Sequence, residues 1–360
     1  MGIAAERAFS PITFLRFGYP VKVSEEMEIA RFVDSQHEFQ AAEFYDRSFP
    51  LSADEADLVS EIAADVAAYT ERHFGRPIRP WSAPFSALKM FRIITALAQR
   101  LGKEKFTVLE IGPGSGYLGA LLHNSGYRHI SMDNTQAFYL WQNRLYQELA
   151  GTEFEEFCHD GSRLVDDPSK KILHIPWWRF LEMDKDCPFS ADFVVCDHAI
   201  NELSDPALWV VLRVAADMLR KSDNGMFLFS EMGVSLKGDS GEFVFAEFER
   251  VGFQVLFKRL FHGLALRGSD YESLVVPHAA VMSTSTFVRA QTKLLRTLRN
   301  RHHKGMLELD AEIPIYNPSG SNKRYQPSDV IPLNDDEAPL DYRFVRSTGR
   351  FAPNGSTFGA

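Results

Sequence analysis

Apolar residues recur along the first hundred positions at the spacing of amphipathic helices. Ser52-Ala-Asp-Glu55 is a capping-box pattern, and it opens a stretch in which apolar residues return mostly at intervals of three and four. Gly75 and Pro77 end that helix. A second stretch with a similar apolar face ends near Gly102. The pattern therefore predicts a largely helical region over residues 1–100.

From residue 106 onward, short apolar runs alternate with helical stretches. Strands that alternate with helices are typical of a parallel sheet covered on both faces, and right-handed crossovers make such a sheet doubly wound. The predicted fold class is therefore α/β with a Rossmann-like, doubly wound sheet. The predicted strands cover residues 106–111, 128–132, 154–158, 191–196, 225–230 and 253–257, and the predicted helices cover 117–123, 137–150, 206–220 and 242–251.

The remainder of the chain has less periodicity. Leu274-Val-Val276 predicts a short strand that Pro277 stops, and the sequence from Asn317 is rich in Pro, Asn, Ser and Asp. We expect an N-terminal helical lid or substrate region over 1–100, a cofactor domain over 101–267 and a partly irregular C-terminal extension over 268–360.

Composition and charge exclude several classes of protein. The 360 residues are 45% hydrophobic and 24% charged, as in ordinary globular proteins. A net charge of −9 disfavours a general nucleic-acid binder. The basic stretch 293–304 is interpreted as an amphipathic surface helix, with phosphate or RNA binding as the less favoured alternative.

Cysteine usage and hydropathy bear on the compartment. The three cysteines are odd in number and widely spaced, which argues against a disulfide framework. There is no apolar leader and no apolar run of the roughly 18 residues that a membrane span needs. We therefore expect a cytoplasmic protein without a membrane partner.

The segment Val108-Leu-Glu-Ile-Gly-Pro-Gly-Ser-Gly116 is the main candidate for chemistry. An apolar strand turns sharply into a helix at Gly112, Gly114 and Gly116, where the missing side chains let a ligand approach the backbone. The N-terminus of the following helix offers unpaired N–H groups and a positive dipole. The segment therefore predicts a cofactor site.

Two classes of cofactor compete for this turn. Gly114-Ser-Gly-Tyr-Leu-Gly119 also fits the dinucleotide pattern G-x-G-x-x-G. Glu110 favours a ligand with an ammonium group, because a carboxylate would sit poorly beside a pyrophosphate. Asp133, after the second strand, suits ribose hydroxyls in either class. Asp160, followed by Gly161, could accept an adenine amino group, although a turn or cap role explains it equally well.

On these residues, positions 100–260 resemble the class I S-adenosylmethionine (SAM)-dependent methyltransferases. The resemblance implies a seven-stranded sheet with an antiparallel last strand, and SAM as the cofactor. It implies that Glu110 and the three glycines hold the methionine end and that Asp133 holds the ribose. The adenine would contact Asn134, Asp160 and Gly161, and Asp197 completes the cofactor set.

The acceptor is expected beyond the carboxyl end of the fourth strand, where Asp197-His-Ala-Ile-Asn-Glu202 lies. His198 is the candidate general base, and Asn201 and Glu202 could orient it or bind acceptor hydroxyls. Alternatively, His198 packs beside the cofactor and Glu202 caps the next helix. Plant-type small-molecule O-methyltransferases have His where this chain has Asn201, so their mechanism does not transfer directly.

Gln136-Ala-Phe-Tyr-Leu-Trp-Gln-Asn143 and Asn201-Glu-Leu-Ser-Asp205 are similar to segments of bacterial sugar O-methyltransferases. That similarity favours O-methylation of a small-molecule hydroxyl. Trp177-Trp178, between the third and fourth strands, could stack on an acceptor or close the core, and Trp81 and Phe85 could belong to a lid.

Several alternatives remain open on the sequence. They are an N-methyltransferase, a SAM-binding protein without catalysis and an NAD(P)-dependent oxidoreductase. The chain could also form a homodimer. Nucleic-acid methyltransferases are disfavoured, because the fourth strand is followed neither by Asn/Asp-Pro-Pro-Tyr/Phe nor by a Pro-Cys pair. Asp197, Asp205 and Glu231 share one predicted edge, but their spacing does not require a metal.

Overall fold

The computed structural model describes residues 23, 25–34, 49–80, 83–159, 163–197, 199–200, 203, 205–231, 242–262, 269–277, 324–325 and 327–331. Trp81 and the basic stretch 293–304 lie outside these residues. Within them, no helix combines the length and apolar character that a membrane span requires.

The N-terminal helices follow the predicted pattern closely. A 3-10 helix over Glu26–Val33 and the short strand β1 (Phe49–Pro50) precede α1 (Ala53–Phe74) and α2 (Ala83–Arg100). The capping box at the start of α1 is formed, since Ser52 Oγ accepts from Glu55 N at 3.1 Å and Ser52 N donates to Glu55 Oε2 at 2.8 Å. Gly75 ends α1 in the left-handed conformation.

The central feature is a sheet with the strand order β4-β5-β3-β2-β6-β7-β9-β8. The six strands from β4 to β7 are mutually parallel, whereas β9 is antiparallel to both of its neighbours. The parallel α/β prediction is therefore confirmed. The strands are β2 (Thr107–Ile111), β3 (Arg128–Asp133), β4 (Phe154–Glu156), β5 (Ile172–Pro176), β6 (Phe193–Asp197), β7 (Met226–Glu231), β8 (Phe253–His262) and β9 (Ser269–Pro277).

Helices and their side chains form layers on both faces of the sheet. Residues of α1, α3 and α4 share one hydrophobic cluster, and α2 packs with β2, β6 and β7 in another. Residues of α5, α6 and α7 cover the opposite face. The remaining helices are α3 (Tyr117–Asn124), α4 (Gln136–Ala150), α5 (Trp177–Glu182), α6 (Asp205–Arg220), α7 (Glu242–Val251) and α8 (Pro327–Val330), and a two-residue strand β10 (Arg324–Tyr325) pairs with β1.

The prediction of seven strands is corrected, because the described sheet has eight. The expected third strand is only the half-buried edge strand β4, and the buried strand β5 lies between β4 and β3. No strand was predicted over Ile172–Pro176, because His174 and the closing proline interrupt its short apolar run. His174 can be buried in β5 because its hydrogen-bond partners come from α4.

The tryptophan pair follows β5 directly and opens α5. Trp177 is buried and stacks on Phe180 with ring centroids 6.2 Å apart. Of the two roles predicted for this pair, stacking on an acceptor or packing in the core, Trp177 has the second. Phe85, in the first turn of α2, is also buried in the core.

The sheet includes a strand from beyond residue 267, where the cofactor domain was expected to end. The predicted strand at Leu274-Val-Val276 lies within β9, which pairs Phe227 of β7 with Val275. The division of the chain at residues 100 and 267, and the role of the N-terminal region as a lid, stay predictions.

A stability test follows from the double role of Glu55. Its carboxylate completes the α1 cap and also binds Arg92 of α2 through Nε at 2.6 Å and Nη2 at 2.8 Å. Glu55→Gln retains a capping-box residue but removes the negative charge beside the buried guanidinium of Arg92, so we expect a loss of about 2 kcal/mol in the free energy of unfolding. Urea unfolding measures this, with the exposed Glu61→Gln on the same helix as control. Equal stability of the two variants would contradict the assigned ion pair.

Candidate cofactor site

The glycine segment forms a tight turn between β2 and α3. Gly112, Gly114 and Gly116 have φ angles of 68°, 56° and 80°, in the left-handed region that favours glycine. Gly112 N donates to Met132 O at 2.9 Å, which fixes the turn to β3. A Cβ on Gly112 would lie 2.6 Å from the Cβ of Ala199, so the segment after β6 packs directly against the turn.

Glu110 is buried at the end of β2 and has a partner that the sequence analysis missed. Its Oε2 lies 2.9 Å from Nε2 of His129, a fully buried residue on β3. Burial raises the pKa of Glu110, and the hydrogen bond from His129 opposes that rise. Gly119 makes the contact possible, since a Cβ there would lie 2.5 Å from Cε1 of His129.

Asp133 ends β3 and is almost completely buried. Its Oδ1 accepts from Thr135 N at 2.8 Å, and its Oδ2 accepts from Nε2 of Gln142 at 2.7 Å. Burial raises the pKa of Asp133 from 3.8 to about 7, against the lowering effect of these hydrogen bonds. Asn134 follows at the surface of the site and is half-buried.

Helix α4 holds the glycine turn from behind. Trp141 Nε1 donates to Ser115 O at 3.1 Å, and Gln142 Nε2 donates to Gly114 O at 2.7 Å. The turn carbonyls are therefore fixed by two consecutive residues of one helix. Trp141 and Gln142 lie in the segment from Gln136 to Asn143, which the sequence analysis singled out by its similarity to sugar O-methyltransferases. Nothing in the spacing of that segment indicated that these two residues contact the glycine turn.

A small pocket lies over the glycine turn. Glu110 and Asp197 both line it, and the carboxylate of Asp197 raises the pKa of Glu110. Helix α2 forms another wall, so the N-terminal region contributes directly to this site. The contributing residues of α2 are Ala83, Ser86, Ala87 and Met90.

Several predicted site residues lie outside the described part of the chain. They are the candidate base His198 with Asn201 and Glu202, and the candidate adenine ligands Asp160 and Gly161. Their proposed roles stay predictions. The described cofactor residues Glu110, Gly112, Gly114, Gly116, Asp133, Asn134 and Asp197 lie at the carboxyl ends of the neighbouring strands β2, β3 and β6 or in the segments that follow them.

Glu156, Cys158 and His159 also lie close together, with ligand atoms within 4.8 Å of one another. Glu156 Oε1 already accepts hydrogen bonds from the Tyr139 hydroxyl and from Cys158 N. Burial raises the pKa of the Cys158 thiol to about 12. We assign no metal to this cluster. All three cysteines lie among the described residues, and none forms a disulfide.

Comparisons with known proteins give similarity in structure alone. No family model matches the chain, and no curated protein matches it in sequence. Among solved structures, a TehB-like SAM-dependent methyltransferase from Corynebacterium glutamicum is 15% identical with a TM-score of 0.36, over 53% of this chain and 87% of that chain. The glycopeptide N-methyltransferase MtfA, complexed with sinefungin, is 16% identical with a TM-score of 0.36, over 51% and 91%.

A third similar structure is the N-methyltransferase NodS from Bradyrhizobium japonicum. It is 13% identical with a TM-score of 0.35, and the match covers 53% of this chain and 97% of that chain. Similarity of this degree concerns the path of the chain. It says nothing about the acceptor of the present protein.

The raised pKa of Asp133 makes stability depend on pH. The unfolded carboxyl releases its proton at lower pH than the folded one, so its stabilising contribution is complete below about pH 4 and is lost as the pH rises through about 7. Asp133→Asn removes this loss, which is on the order of 4 kcal/mol at most. We therefore expect the stability of the variant, measured by urea unfolding, to rise relative to that of the wild type as the pH increases from about 4 to about 7.

Asp223→Asn, in an exposed turn, provides the control for the Asp133 measurement. Its difference from the wild type should stay constant over the same pH range. A constant difference for Asp133→Asn as well would contradict the raised pKa.

Proposed function

We propose that this protein is a SAM-dependent methyltransferase that transfers a methyl group to a hydroxyl group of a small-molecule acceptor. One observation carries the proposal. A buried carboxylate, a turn of left-handed glycines and a second buried carboxylate occupy the ends of the neighbouring parallel strands β2 and β3. In this order they match the parts of a ligand that has an ammonium group at one end and a ribose near the other.

The residues present fit the cofactor. Gly112 and Pro113 of the glycine turn line the pocket, and the turn packs so closely on α4 that a Cβ on Gly116 would lie 2.9 Å from the Tyr146 hydroxyl oxygen. Glu110 lines the pocket over the turn and would bind the ammonium group of the methionine end. Asp133 would accept the ribose hydroxyls, and Asn134, Asp160 and Gly161 would contact the adenine.

The charge of Glu110 favours this cofactor over a dinucleotide. A carboxylate attracts an ammonium group strongly where water is excluded, and it repels a pyrophosphate under the same conditions. Glu110 is 5% exposed, so solvent screens it little. This supports the methyltransferase proposal over the NAD(P)-dependent oxidoreductase that the glycine spacing alone allows.

The bound cofactor supplies a methyl group that its sulfonium centre has already activated. The protein therefore aligns the acceptor and excludes water. We propose that a ring nitrogen of His198 takes the proton from the acceptor hydroxyl, and that Asn201 and Glu202 hold the acceptor or orient the imidazole. MtfA and NodS are N-methyltransferases by name, so amines belong in the acceptor panel beside alcohols.

Cofactor binding is tested by calorimetry with S-adenosylhomocysteine and, separately, with NAD⁺. We expect the former to bind and Gly114→Arg to abolish its binding, because the side chain fills the turn. Gly126→Arg is the matched control, since Gly126 also has a positive φ of 81° but faces open space. Uptake of NAD⁺ without uptake of S-adenosylhomocysteine would overturn the proposed cofactor.

Catalysis is tested by His198→Ala, with release of S-adenosylhomocysteine measured over a panel of hydroxylated and amino acceptors. We expect unchanged affinity for S-adenosylhomocysteine and turnover of hydroxyl acceptors lowered by about 10²–10⁴-fold. The exposed His73→Ala controls for the loss of an imidazole. Unchanged turnover would remove His198 from the mechanism, and binding without turnover of any acceptor would favour a non-catalytic SAM-binding protein.

A further inference from the structure

Gln142 joins the two halves of the candidate cofactor site. It is fully buried on α4, and its amide nitrogen donates both to Oδ2 of Asp133 and to the carbonyl of Gly114, each at 2.7 Å. Its amide oxygen lies 3.0 Å from Nε2 of His174 on β5. One side chain thus connects the ribose-side carboxylate, the glycine turn and a neighbouring strand.

The direction of each hydrogen bond in this group is fixed. Both amide hydrogens of Gln142 are used, so its oxygen accepts and His174 carries its proton on Nε2. Burial lowers the pKa of His174 well below its usual value, which keeps the imidazole neutral. Nδ1 of His174 is therefore an acceptor, and it lies 3.2 Å from Oδ1 of Asn143, so this tautomer requires the Asn143 amide to turn by half a revolution. The NH₂ group of Asn143 must face it.

His174 is itself held in place by packing. Its ring stacks on Tyr139 with centroids 3.9 Å apart, and Tyr146 meets it edge-on at 5.6 Å. Neighbouring strands and α4 therefore fix the imidazole, and the imidazole fixes the orientation of the Gln142 amide. Rotation of that amide by half a turn would place its NH₂ group against Nε2–H of His174 and its oxygen against two other acceptors.

We propose that Gln142, oriented by His174, is a positioning residue that holds the Asp133 carboxylate in the orientation that accepts the cofactor's ribose hydroxyls. This inference rests on the proposed function, because it takes Asp133 as the ribose ligand. Thr135 N holds Oδ1 of Asp133 and Gln142 holds Oδ2, so the plane of the carboxylate is set before any ligand arrives. Without Gln142, the buried Oδ2 would lack its donor and the carboxylate could turn or take up a proton.

The experiment compares two ligands that differ only in the ribose hydroxyls. Calorimetry gives the affinities of S-adenosylhomocysteine and of its 2′,3′-dideoxy analogue for the wild type and for Gln142→Met, which keeps a long side chain but no donor. We expect the wild type to prefer the hydroxylated ligand by at least about tenfold and the variant to lose most of that preference. The affinity for the dideoxy analogue should fall by a smaller factor than the affinity for S-adenosylhomocysteine, because only the loss of the donor to the Gly114 carbonyl affects that analogue.

Two further variants complete the design. Gln147→Met, an exposed position on the same helix, should keep the wild-type preference. His174→Phe keeps a ring against Tyr139 but removes the donor to Gln142, and it should reduce the preference in the same direction. Should Gln142→Met fail to fold in circular dichroism, His174→Phe decides the question by the same criterion.

The outcomes that overturn the inference are distinct from those that overturn the proposed function. If Gln142→Met lowered the affinities for both ligands by the same factor, Gln142 would have a general structural role and the positioning role would be overturned. A wild-type protein that binds both ligands equally would remove the ribose role of Asp133 and the positioning role with it. A wild-type protein that binds neither ligand would overturn the proposed cofactor itself.

Discussion

The candidate site depends on keeping two carboxylates buried at the ends of adjacent strands. A carboxylate removed from water without hydrogen-bond partners loses far more free energy than one side chain's packing returns. Glu110 and Asp133 are 5% and 3% exposed, and the pKa of each is raised by desolvation. The surrounding structure is therefore arranged to supply each with a donor.

Each donor depends on a residue that is unfavourable for the helix that contains it. His129 reaches Glu110 because α3 has no Cβ at position 119, where the ring atoms would otherwise be within 2.6 Å. Gln142 reaches Asp133 because α4 lies directly behind the glycine turn, where Trp141 holds the next carbonyl. A glycine inside a helix and a buried glutamine each lower the stability of the helix that contains them. Their contacts at the candidate site therefore account for both residues better than helix formation does.

The periodic parts of the fold were predictable from the sequence, and the polar interior was not. The spacing of apolar residues predicted α1, α4, α6 and the strands β2, β3, β6 and β7, since burial of one face or of both faces leaves a repeat that can be counted. The glycine turn and the capping box were predictable because left-handed backbone and helix ends select residue types locally. Strand β5 was missed, because His174 interrupts its apolar run.

His129, Gln142 and His174 were missed as site residues for the same physical reason. A buried polar side chain needs a hydrogen-bond partner, and the partners here come from other helices or strands, 19, 9 and 32 residues away. Such pairs leave no period in the sequence. His198, Asn201, Glu202, Asp160 and Gly161 lie outside the described residues, so their roles stay predictions.

The position of α4 also changes what the narrower resemblance can mean. The similarity of the segment from Gln136 to Asn143 favours a sugar acceptor, yet Trp141 and Gln142 face the glycine turn and Asn143 faces His174. Similarity in this helix therefore concerns the support of the candidate cofactor site. We expect acceptor preference to arise instead where the chain borders the pocket over the turn, which is at the start of α2 and in the segment that follows β6. Acceptor specificity should accordingly be sought by varying those two segments while α4 is left unchanged.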